Sequence, residues 1–124
     1  MVASSLALAL TGLAASFAPV ELLTALSAPT VEPLPVLIQL AGALYLAFAI
    51  ANWTAQDSII GGIYSRPLSL GNSLHFTVGA LALLKHELRN GFRIPLVIAL
   101  VAYTVFAICF VYLIFGRGAA CKVS

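Results

Sequence analysis

The sequence predicts an all-α integral membrane protein with four transmembrane helices in an up-down-up-down bundle. Three observations predict it. Of 124 residues, 62% are apolar and only 8% are charged, against about 45–50% and about 25% in soluble domains. The mean hydropathy is +1.10, and so short a chain cannot hide that much apolar surface in one water-facing core. Four apolar runs recur along the chain, each near the 20 or so residues needed to cross a hydrocarbon layer about 30 Å thick. The same arithmetic excludes a disordered chain, a secreted disulfide scaffold and a basic nucleic-acid binder. Six bases against four acids give a net charge of only +2, and no run of bases forms a phosphate-binding stripe.

The first span is expected over about 2–18, or 2–26 if one kinked helix continues. Pro19 and Glu21 interrupt it. A break is the better reading, because it leaves Glu21 at the headgroups rather than in lipid, with Pro19 opening a short interfacial helix. A signal peptide is the rival, but the first Lys or Arg is Arg66, so the basic leader region is missing and a retained helix is expected. The second span, 34–54, opens on Pro33 and Pro35 and closes on Asn52, Trp53 and Thr54. The third, 68–84, carries Asn72 and His75 and leaves the membrane at Lys85 and His86. The fourth, 94–115, has no charge, Pro95 at its start and Arg117 beyond its end as an anchor. Together they make one membrane domain over 1–124. Arg66, Arg117 and Lys122 on one side balance Lys85, Arg89 and Arg93 on the other, so the positive-inside rule leaves the orientation open.

Between the spans, the proline-rich segment 27–35 reads as a stiff strap. The segment 55–67 is too apolar for an idle loop and contains Gly61-Gly62. Residues 86–93 read as a short polar turn. Since lipid tails are as apolar as Leu, helices associate through close packing and hydrogen bonds, and small residues mark the contact faces. Gly12, Ala15 and Ser16, then Gly42 and Ala43, then Gly79 and Ala82 are the expected contacts. At 100° per residue, Gln39, Gly42, Ala43, Leu46, Ile50 and Trp53 share one face of the second span. Asn72, His75, Gly79 and Ala82 form a stripe on the third. The bulky fourth span, with Tyr103, Phe106, Phe110, Tyr112 and Phe115, is expected outermost.

The end of the second span, the start of the third and the loop between them gather seven residues at one end of the bundle: Asn52, Trp53, Asp57, Tyr64, Arg66, Asn72 and His75. Two main readings fit. In the structural one the amides and imidazole bond loop carbonyls and helix ends, Arg66 pairs Asp57 at the surface for about 0–1 kcal/mol, and Trp53 and Tyr64 are belt aromatics. In the functional one they form a pocket for a polar headgroup, a quinone ring or a small anion. A proton or ion pathway is a thinner third reading, since one His has no intramembrane carboxylate chain to relay through. Gln39 is expected to bond a neighbouring helix. Cys109 and Cys121 lie about 18 Å apart by helical rise, which argues against a disulfide, and neither has metal-ligand company. The chain holds no nucleophile with a base at recognisable spacing, no phosphate loop and no dinucleotide fingerprint. No catalytic residue, metal or cofactor is therefore expected. Asn52-Trp53-Thr54 fits a glycosylation pattern but sits too near the membrane to serve.

Phe17-Ala-Pro19-Val-Glu-Leu-Leu23, Gln39-Leu-Ala-Gly-Ala43, Asn52-Trp53, Gly61-Gly-Ile-Tyr-Ser-Arg-Pro67 and Asn72-x-x-His75-Phe76 follow one another in order. This series resembles small bacterial four-span proteins distantly similar to the DoxX-like group, over about residues 5 to 85. The resemblance implies a bacterial inner-membrane setting. DoxX-like proteins include accessory subunits of membrane redox complexes and proteins that assist other membrane proteins, so a quinone connection is implied for some. The function expected first is therefore a non-enzymatic accessory or interaction subunit, with the lipid bilayer, a membrane-protein partner or a second copy as its company. The alternative is a small-molecule, lipid-headgroup or quinone binding or transport module at the 52–75 end.

Overall fold

In the computed structural model the described residues are 1–56 and 65–115. Of these, 86% are helical and none is in a strand. The helices are α1 (Val2–Phe17), α2 (Pro19–Ala25), α3 (Leu34–Thr54), α4 (Ser65–Asn90) and α5 (Ile94–Phe115). Three of them, α3, α4 from Arg66 onward and α5, are long and apolar enough to cross a membrane. The chain divides into two compact units, Met1–Asp57 and Ser58–Ser124.

In the first unit α1 stops where the sequence favours a break. The residue before a proline is pushed out of the α region, and Ala18 sits at φ −133°, ψ 52°. Pro19 then starts α2, where its missing N–H costs nothing, and Glu21 lies in the first turn, where the helix dipole favours an acid. The two helix axes differ by 105°. α2 ends on Ser27 at φ 53°, with the Ala28 N–H donating to the Leu23 carbonyl, the closing bond of a Schellman turn. A further turn, in which the Leu34 N–H donates to the Val31 carbonyl, leads into α3, with Pro35 in its first turn.

α1 and α3 pack antiparallel, Ser5 reaching Ala49 near one end and Gly12 meeting Gly42 further along. The buried positions recur at sevens: Ser5 and Gly12, Leu8 and Ala15 on α1, and Pro35, Gly42 and Ala49 on α3. A repeat of 3.5 residues per turn keeps one seam facing a helix packed at a shallow angle. At the crossing the backbones touch. A Cβ on Gly42 would lie 2.7 Å from the Ser16 N and 2.9 Å from the Gly12 carbonyl oxygen. The buried seam differs from the face read from sequence. Gly12, Ala15 and Gly42 are buried, but Gln39, Ala43, Ile50 and Trp53 are exposed, and Asn52 takes the inward place. In so uniformly apolar a helix, hydropathy does not select a face; the glycine contact does.

The second unit is a hairpin of α4 and α5. α4 is longer than the apolar run 68–84 at both ends, because its polar flanks, Ser65-Arg66-Pro67 and Lys85 to Asn90, are helical too. The expected polar turn thus shrinks to Gly91-Phe92-Arg93. Gly91 supplies the φ of +83° that a helix stop needs, and its N–H donates to the Glu87 carbonyl at 3.0 Å. The Glu87 side chain continues across the turn, where its Oε2 accepts the Arg93 N–H at 2.8 Å. That bond satisfies a donor at the start of α5, whose first helical bond runs from the Val97 N–H to the Arg93 carbonyl. Glu87 is 1% exposed, and among the described residues its Oε1 has no hydrogen-bond partner.

Between α4 and α5 the contact is aromatic. Phe76, 1% exposed, stacks on Phe110 at 5.8 Å between ring centroids and meets the rings of Tyr103 and Phe106 at 5.2 and 5.0 Å. Tyr103 occupies the space a side chain on Gly79 would fill. Three of the bulky residues expected on an outermost helix thus face α4, while Tyr112 and Phe115 are exposed. Ala82 is exposed, and Phe76 takes the inward place in that stretch instead.

Overpacking a tight contact costs about 1–3 kcal/mol. Gly42→Ala, which drives a methyl group against the Ser16 backbone, is therefore expected to lower the thermal midpoint in detergent by several degrees. Ala43→Leu, on the exposed side, is expected to leave that midpoint within a degree; size-exclusion traces after heating read both.

Candidate functional site

Asp57 and Tyr64 lie outside the described residues. The other five candidate residues fall in two units, Asn52 and Trp53 in the first and Arg66, Asn72 and His75 in the second.

At the C-terminal end of α3, Asn52 is 0% exposed and its Nδ2 donates to the Ser4 Oγ at 3.4 Å. Ser4 in turn donates to the Met1 carbonyl at 2.7 Å. One residue along, the Ser5 Oγ donates to the Ala49 carbonyl at 2.7 Å. This chain of bonds ties the start of α1 to the end of α3. Trp53, the next residue round the helix, is 50% exposed, so the amide and the indole serve different surroundings. Ser4 and Ser5 were not among the sequence candidates. They become visible once α1 and α3 are taken as antiparallel, since that places residues 4 and 5 level with 49 and 52.

On α4, Arg66 is exposed in the first turn. Asn72 is 0% exposed, and its Nδ2 donates to the Leu68 carbonyl at 2.9 Å, one turn back along its own helix. His75 is half-buried against aromatic neighbours. Its ring centroid lies 5.1 Å from that of Phe76 and 5.6 Å from that of Tyr103. The Tyr103 hydroxyl and His75 Nε2 are 3.5 Å apart, at the far limit of a hydrogen bond. The sequence marks Tyr103 only as bulk on α5. Its closeness to His75 depends on Gly79, one turn further along α4, which leaves room for the ring. Glu87 is a second residue whose role sequence reading missed. Its carboxylate reaches six residues ahead across a turn, a spacing outside the i+3 and i+4 pairs of one helix.

The second unit also carries an open groove of about 540 Å³ lined by Thr77, Ala107, Ile108, Val111, Tyr112 and Phe115. None of the five described candidate residues lines it. Its walls are apolar, so it offers shape but little to orient a polar ligand. Gln39 is exposed on α3, away from the buried seam. Cys109 is a free, exposed thiol, and Cys121 lies outside the described residues.

Comparison of the chain with family models, curated proteins and solved structures found no match.

Hydrogen bonds between membrane helices average about 0.6 kcal/mol and reach about 1.7. A double-mutant cycle with Ser4→Ala and Asn52→Ala, followed by unfolding in detergent, is expected to show a coupling within that range. Each single variant is expected to destabilise the chain, and Trp53→Ala to cost less than Asn52→Ala.

Proposed function

We propose that this chain is a four-span protein of a bacterial inner membrane, its spans in an up-down-up-down bundle, working as a non-enzymatic accessory or interaction subunit. The DoxX-like resemblance supplies the bacterial setting and the accessory role, and both belong to this proposal. α1 is about 24 Å long at 1.5 Å per residue, short of a core about 30 Å thick. In this reading it crosses with Ala18 and the headgroups at its end, and α2 lies along the interface. The bend after α1 places Glu21, which is exposed, where an acid is tolerated.

One observation carries the accessory reading. The three largest buried polar side chains bond helix packing partners and helix backbone: Asn52 to Ser4, Asn72 to the Leu68 carbonyl and Glu87 to the start of α5. Meanwhile Leu6, Leu10, Leu13 and Phe17 along α1, and Ile98, Val101, Val105 and Ile108 along α5, are exposed. The outer faces of α1 and α5 are thus largely aliphatic, while the buried polar groups lie on the inner faces. Such a surface meets lipid or other membrane helices, not a polar substrate.

A second reading keeps a small-molecule, lipid-headgroup or quinone module at the 52–75 end. The half-buried His75 beside Tyr103, on the same helix as the exposed Arg66, favours it.

Topology is tested with single cysteines in a chain whose Cys109 and Cys121 are changed to Ser. With four crossings, Ala3→Cys and Thr30→Cys react with impermeant maleimide from opposite faces of sealed vesicles; labelling from the same face means that α1 and α2 do not cross. The accessory role is tested by purification in mild detergent from native membranes and native mass spectrometry. A partner polypeptide at fixed stoichiometry is expected. A monodisperse monomer that carries no protein would overturn that role, and a retained small molecule lost in His75→Leu would favour the second reading.

A further inference from the structure

At the end of α4 opposite to Arg66, basic residues cluster on the outer side of the hairpin. Lys85, Arg89 and Arg93 are all exposed, with His86 and Asn90 between them. Lys85 and Arg89 are four residues apart on one helix, so they lie on neighbouring turns of the same face. The acid among them points elsewhere. Glu87 sits about 200° round the helix from Lys85, is 1% exposed and holds the Arg93 N–H. Its carboxylate is turned inward, so on this outer face of α4 the exposed charges among the described residues are Lys85 and Arg89. Leu88, Phe92 and Ile94 are exposed at the same level.

Height matters as much as sign. The 26 residues of α4 span about 39 Å, about 9 Å more than the hydrocarbon layer. The apolar run ends at Leu84, so the excess carries Lys85 to Asn90 into the headgroup zone. There the flexible stems of Lys and Arg lie along apolar surface while their charged ends reach phosphate, and Leu88, Phe92 and Ile94 face the outer acyl carbons. We infer that the α4–α5 turn is a binding surface for anionic phospholipid headgroups, with Lys85 and Arg89 as its contacts. The inference rests on α4 and α5 crossing a membrane. On α4 it lies apart from the other candidate residues, with Lys85 about 15 Å from His75 and about 28 Å from Arg66 along the helix.

The test is native mass spectrometry of the full chain released from nanodiscs of phosphatidylcholine and phosphatidylglycerol in equal amounts. Wild type is expected to retain phosphatidylglycerol preferentially, and Lys85→Gln and Arg89→Gln each to lower that preference about fivefold, which corresponds to ~1 kcal/mol per base. Charge-keeping swaps, Lys85→Arg and Arg89→Lys, are expected to preserve it. Raising the salt in wild-type samples is expected to weaken it through screening, which checks the proposal without any substitution. Equal retention of both lipids by wild type, or an undiminished preference in the Lys85→Gln/Arg89→Gln double variant, overturns it. Inorganic phosphate that displaces the lipid beyond the effect of chloride at equal ionic strength overturns the lipid as the ligand. If the chain does not enter phosphatidylcholine nanodiscs at all, the membrane-crossing reading fails instead, an outcome distinct from loss of selectivity.

Discussion

Close packing between helices governs this structure, because in the membrane setting proposed above lipid removes the usual reason for helices to adhere. Apolar side chains gain nothing by leaving a hydrocarbon for each other, so packing and hydrogen bonds must hold the pairs. The first unit meets this demand with absence: Gly12 and Gly42 carry no side chains, and the two backbones meet where Cβ atoms would stand. The close approach then brings the Ser5 hydroxyl to the Ala49 carbonyl and Asn52 to Ser4. The second unit meets the same demand with interlocking bulk. Phe76 is enclosed by rings from α5, and Gly79 is the recess that admits Tyr103. One glycine pair makes a flat seam; one glycine opposite a tyrosine makes a socket.

Those two solutions explain which parts of the fold were legible in the sequence. Backbone punctuation was legible because its causes are local. Pro19 dictates the break at Ala18, Pro33 and Pro35 mark the start of α3, and Gly91 stops α4 through a positive φ. Helix faces were much less legible. α3 is apolar all round, so the stripe through Gln39, Ala43, Ile50 and Trp53 had no chemical contrast to oppose it, and the buried seam proved to run through Pro35, Gly42, Ala49 and Asn52. Shifting the seam by one residue turns a helix by 100°, which exchanges Trp53 for Asn52. On α4 the inward sense of Asn72 was correct, but the core position is Phe76, not Ala82. Small size signals contact only when the partner helix also presents a close backbone or a ring.

The candidate cluster shows the same division. Asn52 and Asn72 are fully buried, Asn52 donating to Ser4 in the seam and Asn72 to the Leu68 carbonyl of its own helix. His75 is different. It is half-buried, keeps an aromatic neighbour on each of two helices, and meets Tyr103 at a distance long for a firm bond. Tyr103 could not be paired with His75 from sequence, since 28 residues separate them and only the antiparallel register of α4 and α5 brings them level.

Glu87 shows how a single side chain sorts the charges of a whole turn. The C-terminal end of α4 is the negative pole of its dipole and the N-terminal end of α5 is the positive pole of the next. Bases are favoured at the first and an acid at the second. Lys85 and Arg89 lie in the last turns of α4, exposed, while the Glu87 carboxylate crosses Gly91 and Phe92 to the first N–H at the start of α5. The two dipoles alone would permit both signs on the surface. Burial of the carboxylate decides the matter, because Glu87 can reach Arg93 only by turning to the inner side of the hairpin. A cap that closes the turn thereby draws the acid inward and leaves Lys85 and Arg89 exposed, so the geometry that holds α4 to α5 also sets the charge this end presents.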